Sequence, residues 1–464
     1  MARLVVVGGG LTGSLLAIAL SRHGHEVDVF ERRVDARPEQ GERRPAVNIT
    51  LCERGLRALG DVGLRDAVQS QCAPARGRKI HSLNGSVQYQ PYGNHGEAIY
   101  SVARAELNRT LAEAAAREPG VRFHYSQKFV GMDLGRTIAR FQHTQTGEAS
   151  EVHADRIFGT DGAHSGVRYQ LQKTDRFSYS QQYWPFGGYV SLRVPRPSSD
   201  RPALDGDALH IWPRGNRMLI GFPNRDGSAV LSLLLPFEGE DSYESLSTDA
   251  AVLAFFRSYF PDAVDTIPAL TEQFFSKPAN SLVTIRCDPW SHRDNVLLLG
   301  DAAHAILPSY GQGANSGFED VSTLDASMKE HGADWRAVFQ SVERARRPSM
   351  DVMADLCVEH FSELCELIAD PKFLKQREVE RDLSDLYPDL YRPLYSMVSF
   401  DCVPYVEAFA IEQVQRTIID RIIAMNDASG RLDTPQIREL LEQSTAGRAL
   451  AARAASRETS GEHA

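Results

Sequence analysis

RLVVVGGGLTGSLLAIALSRHGHEVDVFE, residues 3–31, decides the fold. Leu4 to Val7 form an uninterrupted apolar run, the pattern of a strand buried on both faces. Gly8, Gly10 and Gly13 follow as G-x-G-x-x-G, and Ser14 to Ser21 suit a helix that lies close to a sheet. Gly24 ends that helix, Val27 to Phe30 make the next strand, and Glu31 closes it. Each position has a physical task. Gly8 makes the tight turn, Gly10 lets backbone approach a pyrophosphate at the positive end of the helix, and Gly13 lets helix and strand touch. Glu31 accepts hydrogen bonds from a ribose diol, which favours FAD or NAD over NADP. Strand, turn, helix, strand and acid fall in register, so the stretch predicts a dinucleotide site rather than an ordinary glycine-rich turn.

The chain has 464 residues, enough for two or three domains. A formal net charge of −10 argues against nucleic acid as a main partner. Six scattered cysteines without C-x-x-C suggest reduced thiols of a cytoplasmic protein, not a disulfide frame or a zinc site. His304 and His360 have no companion cluster, so no metal is expected. The fingerprint starts at residue 8, which leaves no room for a signal peptide, and no uncharged apolar run has the length of a membrane span. Composition leaves the oligomeric state open.

Outward from the fingerprint, residues 34–47 read as an exposed loop and Val47 to Leu51 as an apolar segment. Leu56, Leu59, Leu64 and Val68 have helical spacing, weakened by Gly60 and Gly63. Residues 78–92 alternate and predict a hairpin turning at Asn84-Gly85. Ser101 to Arg117 predict a helix, Val121 to Phe129 a strand, and Arg156 to Gly162 a strand running into a turn. Between 176 and 287, strands with short turns predict an antiparallel sheet on which Met218, Ile220 and Phe222 share a face. Asn295 to Leu299 return to the buried parallel type. Helices dominate beyond about 317, and the last 20 or so residues are expected to fray.

Two further segments carry chemistry. One is GTDGAHSGVR, residues 159–168, with Asp161-Gly162. The other is LLLGDAAHAILPSYGQGANSGFED, residues 297–320, in which a buried strand delivers Gly300-Asp301, an acid suited to a polyol hydroxyl. Gly311-Gln312-Gly313 then offer bare backbone N–H groups ahead of a helix starting near Asn315, which suits an electron-rich ring edge or an anion. With the fingerprint, these motifs resemble the single-component FAD-dependent aromatic hydroxylases over residues 1 to about 350. The resemblance implies an α/β fold: a Rossmann-like FAD-binding domain of the GR2 type, an inserted antiparallel β-sheet substrate domain and a C-terminal helical region. The FAD-binding parts would be 1–75, 98–175 and 288–345. The substrate domain would be 176–287 with the hairpin 76–97, and 346–464 would be the helical region with its frayed tail. It also implies FAD held by Gly8, Gly10, Gly13, Glu31 and Arg32, and by Arg104, Asp161, Gly162, Gly300 and Asp301. Gly311, Gln312, Gly313, Ala314 and Asn315 would lie beside the flavin ring. No second G-x-G-x-x-G is found, so NADPH or NADH would visit transiently.

GRKIHSLNG (77–85) with QPYG (90–93), LHIWPR (209–214), MLIGFPN (218–224) and YSMVSFDCVPY (395–405) resemble the branch of that family acting on kynurenine. By this likeness Arg78 and Tyr92, helped by Tyr405, would bind an amino acid carboxylate. Leu209, Met218, Ile220, Phe222 and Leu234 would line the ring pocket, with Tyr310 and His360 over it. Taken alone, Arg78 is one basic residue of R-G-R-K that any solvated arginine would match, and Met218, Ile220 and Phe222 are more often plain core. There are departures: Ala314 replaces a methionine, Ser309-Tyr310 a bulkier pair, His360 a substrate-holding asparagine, and Pro45, beside Arg43 and Arg44, an arginine. They bear on the substrate rather than on FAD. The implied activity is NAD(P)H- and O2-dependent hydroxylation ortho to an aryl amine through a flavin C4a-hydroperoxide, with no catalytic acid or base assigned. The substrate would be L-kynurenine or a ring-substituted kynurenine. The alternatives are a hydroxylase of another aromatic acid and a flavin reductase or redox protein without oxygenase activity. A flavin halogenase is disfavoured, because Trp184, Trp212, Trp290 and Trp335 are too dispersed for W-x-W-x-I-P.

Overall fold

Arg3–Val7 lies inside a six-stranded sheet in the computed structural model, which describes residues 1–35, 47–93, 95–197, 202–367 and 370–460. Pro45, Arg43 and Arg44 lie outside the described residues. The strand order is Ser291–His292, Val296–Leu298, Arg156–Gly159, Arg3–Val7, Glu26–Phe30, Val121–His124. All neighbours run parallel except the Ser291–His292 edge. Leu4, Val5 and Val6 are fully buried, as a parallel sheet covered on both faces requires. The helix Leu11–Arg22 packs against the helices Arg104–Arg117 and Gly313–His331. Gly13 makes the approach of helix to strand possible: a Cβ there would stand 1.9 Å from the Gly8 carbonyl oxygen.

A second, seven-stranded sheet has the order Asn280–Asp288, Ser178–Val194, Ala229–Leu235, Arg217–Pro223, Ala208–Arg214, Gly77–His81, Val87–Pro91. It is antiparallel except where Gly77–His81 joins Ala208–Arg214 in parallel. The hairpin around Asn84-Gly85 therefore extends this sheet, with Gly85 at a φ of +84° in its turn. Strand alternation divides the sheet's side chains. Trp212, Leu219, Leu231, Leu233 and Leu235 face the helices Asp249–Tyr259 and Leu270–Phe275 in a separate core with Val252, Phe255, Phe256 and Phe274. Met218, Leu234 and Ile211 face the other way, into the main core. The sequence reading of 176–287 as strands and turns missed these two helices. Thr248 capping Ala251 N–H and the apolar spacing of Val252, Phe255 and Phe256 mark the first of them.

Three further expectations are corrected. Ser101 to Ala103 belong to the strand Ile99–Ala103, and the helix begins at Arg104. Residues 53–71 form two helices, Glu53–Asp61 and Arg65–Gln69, interrupted at Gly63 with a φ of +71°. The tail expected to fray is the helix Thr445–Ser460, held to the core by buried Ala446 and Leu450 one turn apart. Among the described residues no helix is long and apolar enough to cross a membrane. The 1.9 Å clash at position 13 is with backbone, which cannot swing aside. Gly13→Ala is therefore expected to destabilise the fold by about 1–3 kcal/mol, read as a lowered midpoint of urea unfolding.

Candidate active site

The cofactor groove is built at strand ends. Gly10 caps the helix Leu11–Arg22, and a Cβ there would meet nothing within 4 Å, so the space over the helix N-terminus is open. Glu31, 8% exposed, ends the neighbouring strand, with Arg32 exposed beside it. Gly9 N–H donates to its Oε2 at 3.0 Å and Arg33 N–H to its Oε1 at 2.9 Å, which aims the carboxylate while leaving lone pairs for a diol. Asp161 lies against Gly8. Its carboxylate accepts from the Ser165 hydroxyl and from Gly166 and Val167 N–H, and so holds the start of the helix Gly166–Leu171. Gly162, at a φ of +86°, carries the chain out of that turn. Asp301 and Arg104 are exposed, and both lie in electrostatic reach of Tyr189 on the second sheet.

Beneath Gly300 sits a buried ionic cluster that sequence reasoning did not single out. Asp320 is fully buried on the helix Gly313–His331. Its Oδ2 accepts from Gly300 N–H at 2.9 Å and from His304 Nε2 at 2.6 Å, and its Oδ1 from Arg346 Nε at 2.8 Å. His304 and Arg346 hold the carboxyl well below the usual carboxylate range, despite its burial. Arg346 also reaches Glu319, which pairs with buried Arg54. Arg54 stacks on Tyr405 at 4.2 Å and donates to Val403 O at 2.7 Å.

The flavin-side turn begins at Gly311 with a φ of +67°. Asn315 accepts from Cys52 N–H and donates to Thr50 O and Gly311 O, at 2.7–3.0 Å. Gln312 accepts from the Tyr405 hydroxyl at 2.9 Å. Both amides are thus committed to the fold, and what the turn offers a ligand is backbone between Gly311 and Ala314. A Cβ on Gly313 would meet nothing within 4 Å. An open helix N-terminus, a backbone-aimed Glu31, the exposed pair Asp301 and Arg104 and this bare turn fit FAD.

A cavity of about 550 Å³ opens on the substrate side, lined by Arg78, Gln90, Tyr92, Tyr310, His360 and Tyr395 among others. Its outer wall comes from the C-terminal helices and includes Glu363 and Arg377. Tyr310 immediately precedes Gly311, so cavity and flavin-side turn adjoin. Tyr395 stacks on Tyr92 at 5.2 Å and on Tyr310 at 5.6 Å, and Tyr310 lies 4.6 Å from the His360 ring. Burial raises Tyr92 to about 12, and Tyr310 and Tyr395 well above the ordinary phenol, so all three stay neutral donors. Arg78 Nε donates to Gln90 Oε1 at 2.9 Å, but among the described residues Arg78 has no carboxylate partner. Burial pulls its pKa below the ordinary value. His360 is lowered to about 3 by burial and by Arg78 and Arg377, so it is neutral. Its Nδ1 stands 3.0 Å from Ser309 O, and a carbonyl only accepts, so Nδ1 carries the proton and Nε2 is an acceptor.

Of the expected substrate residues, Arg78, Tyr92, Tyr310 and His360 line this cavity. Leu209 and Phe222 pack with Tyr92, while Met218, Ile220 and Leu234 lie on the same sheet face, at the main core. Tyr405 does not join Arg78 and Tyr92. It is fully buried under the flavin-side turn, bonded to Gln312 and Ser316. Tyr395, ten residues earlier in the same segment, stands beside Tyr92. A short helix, Leu394–Ser399, presents Tyr395 to the cavity, whereas Tyr405 opens the next helix. Spacing within YSMVSFDCVPY does not distinguish the two tyrosines.

Residues 1–351 match the FAD binding domain family. The chain is 40% identical over 435 residues to kynurenine 3-monooxygenase of Flavobacterium johnsoniae, covering 94% of this chain and 97% of that one. It is 42% identical over 421 residues to the enzyme of the same name from Salinispora arenicola, covering 90% and 92%. The chain belongs to the kynurenine 3-monooxygenase family. It is an FAD-dependent monooxygenase. Among solved structures, 2-methyl-3-hydroxypyridine-5-carboxylic acid oxygenase superposes with a TM-score of 0.64 at 25% identity, covering 82% of this chain and 97% of that one. The family's cofactor, FAD, is the one the groove fits.

Asp320 supplies a test of the cluster beneath the cofactor turn. Asp320→Asn removes one of the two acidic partners of buried Arg346 and the carboxylate bonded to His304, and is expected to cost about 3 kcal/mol at pH 7. A carboxyl lowered in the folded state stabilises fully above its unfolded value, near 3.8, and loses that contribution as pH falls below it. The gap between wild type and variant in urea unfolding is therefore expected to narrow progressively below pH of about 3.8.

Proposed function

We propose that the protein hydroxylates L-kynurenine, or a ring-substituted kynurenine, at the ring carbon ortho to the aryl amine, consuming O2 and NADPH or NADH. The observation that carries this is Arg78: a half-buried cation with no ion pair among the described residues, in an aromatic cavity adjoining the flavin-side turn. Such a charge calls for an anionic ligand, and a guanidinium fork matches a carboxylate bidentately. Bound FAD supplies the chemistry of O2 activation and accepts reducing equivalents from the nicotinamide.

The side chains bind, orient and exclude water. Arg78 anchors the amino acid carboxylate. His360 Nε2, an acceptor in its fixed tautomer, takes a hydrogen bond from the α-ammonium, with the Glu363 carboxylate in the same wall. Tyr92, Tyr310 and Tyr395 box the linker between amino acid and ring. The aryl ring lies along Leu209, Met218, Ile220, Phe222 and Leu234, an apolar face that keeps water from the reacting carbon. Anchoring one end fixes the distance of the other from the flavin-side turn, and orientation of this kind is worth several kcal/mol. Ala314, Tyr310 and His360 set which ring substituents are admitted. Six free cysteines and dependence on a reduced nicotinamide support a cytoplasmic setting.

The purified flavoprotein is expected to oxidise NADPH slowly alone and rapidly with L-kynurenine, giving a product heavier by one oxygen by mass spectrometry. Stimulation without a heavier product contradicts hydroxylation of this substrate. Arg78→Ala is expected to raise KM for L-kynurenine by about 100-fold, since a charge-assisted pair is lost, while flavin content by absorbance stays normal. An unchanged KM removes Arg78 from the carboxylate site.

A further inference from the structure

The register of the hairpin puts Arg78 directly opposite Gln90, on the edge strand Val87–Pro91. Their contact fixes the glutamine's orientation. A guanidinium only donates, so the atom 2.9 Å from Arg78 Nε is the amide oxygen, and the amide nitrogen is the other end. That nitrogen is sealed from solvent and has no hydrogen-bond partner among the described residues. Two liabilities therefore sit side by side: a half-buried guanidinium with no ion pair among the described residues and a buried N–H without an acceptor. Native structures leave few such donors unpaired.

A glutamate at position 90 would relieve both. It has the same shape, accepts from Arg78 through either oxygen, and carries no N–H to strand. It would also place a fixed carboxylate on the group that anchors the substrate. We infer that Gln90 is a positioning and specificity-determining residue: a neutral acceptor that aims the Arg78 fork through Nε, leaves both terminal nitrogens to the ligand, and withholds the countercharge that the substrate carboxylate supplies. The site sacrifices fold stability for affinity toward an anion, a trade characteristic of binding sites. This rests on the carboxylate role of Arg78 proposed above and extends it to a residue that never needs to touch the substrate.

The test uses the FAD-loaded enzyme and reads ligand binding from perturbation of the flavin absorbance, beside the melting temperature. The ligands are L-kynurenine and its α-carboxamide, which lacks the negative charge. Gln90→Glu is expected to raise the melting temperature by about 2 °C or more, to weaken L-kynurenine by about 100-fold, and to change carboxamide binding by less than about threefold. Gln90→Met, which keeps the bulk but loses the acceptor, is expected to weaken L-kynurenine by about tenfold without a gain in melting temperature. A glutamine that merely packs predicts otherwise. Equal losses for acid and carboxamide, or L-kynurenine binding unchanged in both variants, overturn the inference alone. Failure of the wild-type holoenzyme to bind L-kynurenine overturns the functional proposal itself, and this inference with it.

Discussion

The carboxylate of Asp320 is the contact on which the geometry of this molecule depends. It joins the N–H of Gly300 at the end of a sheet strand, the imidazole of His304 one turn on, and the guanidinium of Arg346 from the helix Trp335–Ser362. Such a cluster is no cheap source of stability, because desolvating the charges offsets much of their attraction. What it does supply is definition. With both oxygens engaged, Gly300 has one position, and the exposed Asp301 that follows is delivered to the cofactor groove at a set height. Through Glu319 and Arg54 the cluster continues to Tyr405 and Gln312, so the two turns that flank a flavin share one support.

The contrast with Arg78 divides structural from functional charge. Arg346 and Arg54 are buried more deeply than the half-buried Arg78, and each finds acidic partners within the fold. Arg78 finds an amide oxygen and phenol rings. For those two arginines the charge is balanced by acids of the fold; for Arg78 the proposed balance is a ligand. The neutral histidine in the same wall follows from the same fact, since two nearby arginines and burial all oppose its protonation.

Much of this was legible in the sequence, for reasons that can be named. The fingerprint reads directly because its glycines are forced by backbone contacts, as at Gly13, and because Glu31 must end its strand to reach a diol. The shared face of Met218, Ile220 and Phe222 follows from strand alternation alone. Other features were opaque because they depend on where remote segments meet. Asp161 has the composition of a ligand residue but spends its carboxylate on a helix cap four to six residues away. Tyr395 and Tyr405 lie in one segment, and only the break between two helices sends one to the cavity and the other beneath the flavin-side turn. Nothing in the spacing of Gly300, His304, Asp320 and Arg346 announces a common centre. The Ala- and Arg-rich tail reads as weakly held until Ala446 and Leu450 are seen against the core.

The division of labour along the chain follows from the same arrangement. The FAD binding domain match ends at residue 351, and by then both turns of the cofactor groove, the hairpin with Arg78 and the seven-stranded sheet are complete. The cavity is not. His360, Glu363, Arg377 and Tyr395 all lie beyond that point, on helices that close the wall opposite the hairpin. Without that wall Arg78 would face solvent, where a guanidinium is hydrated and has little need of a carboxylate. The C-terminal helices thus make Arg78 selective by burying it. They hold it against a neutral histidine and three neutral phenols, with Glu363 only at longer range, so that among the described residues no carboxylate forms an ion pair with it.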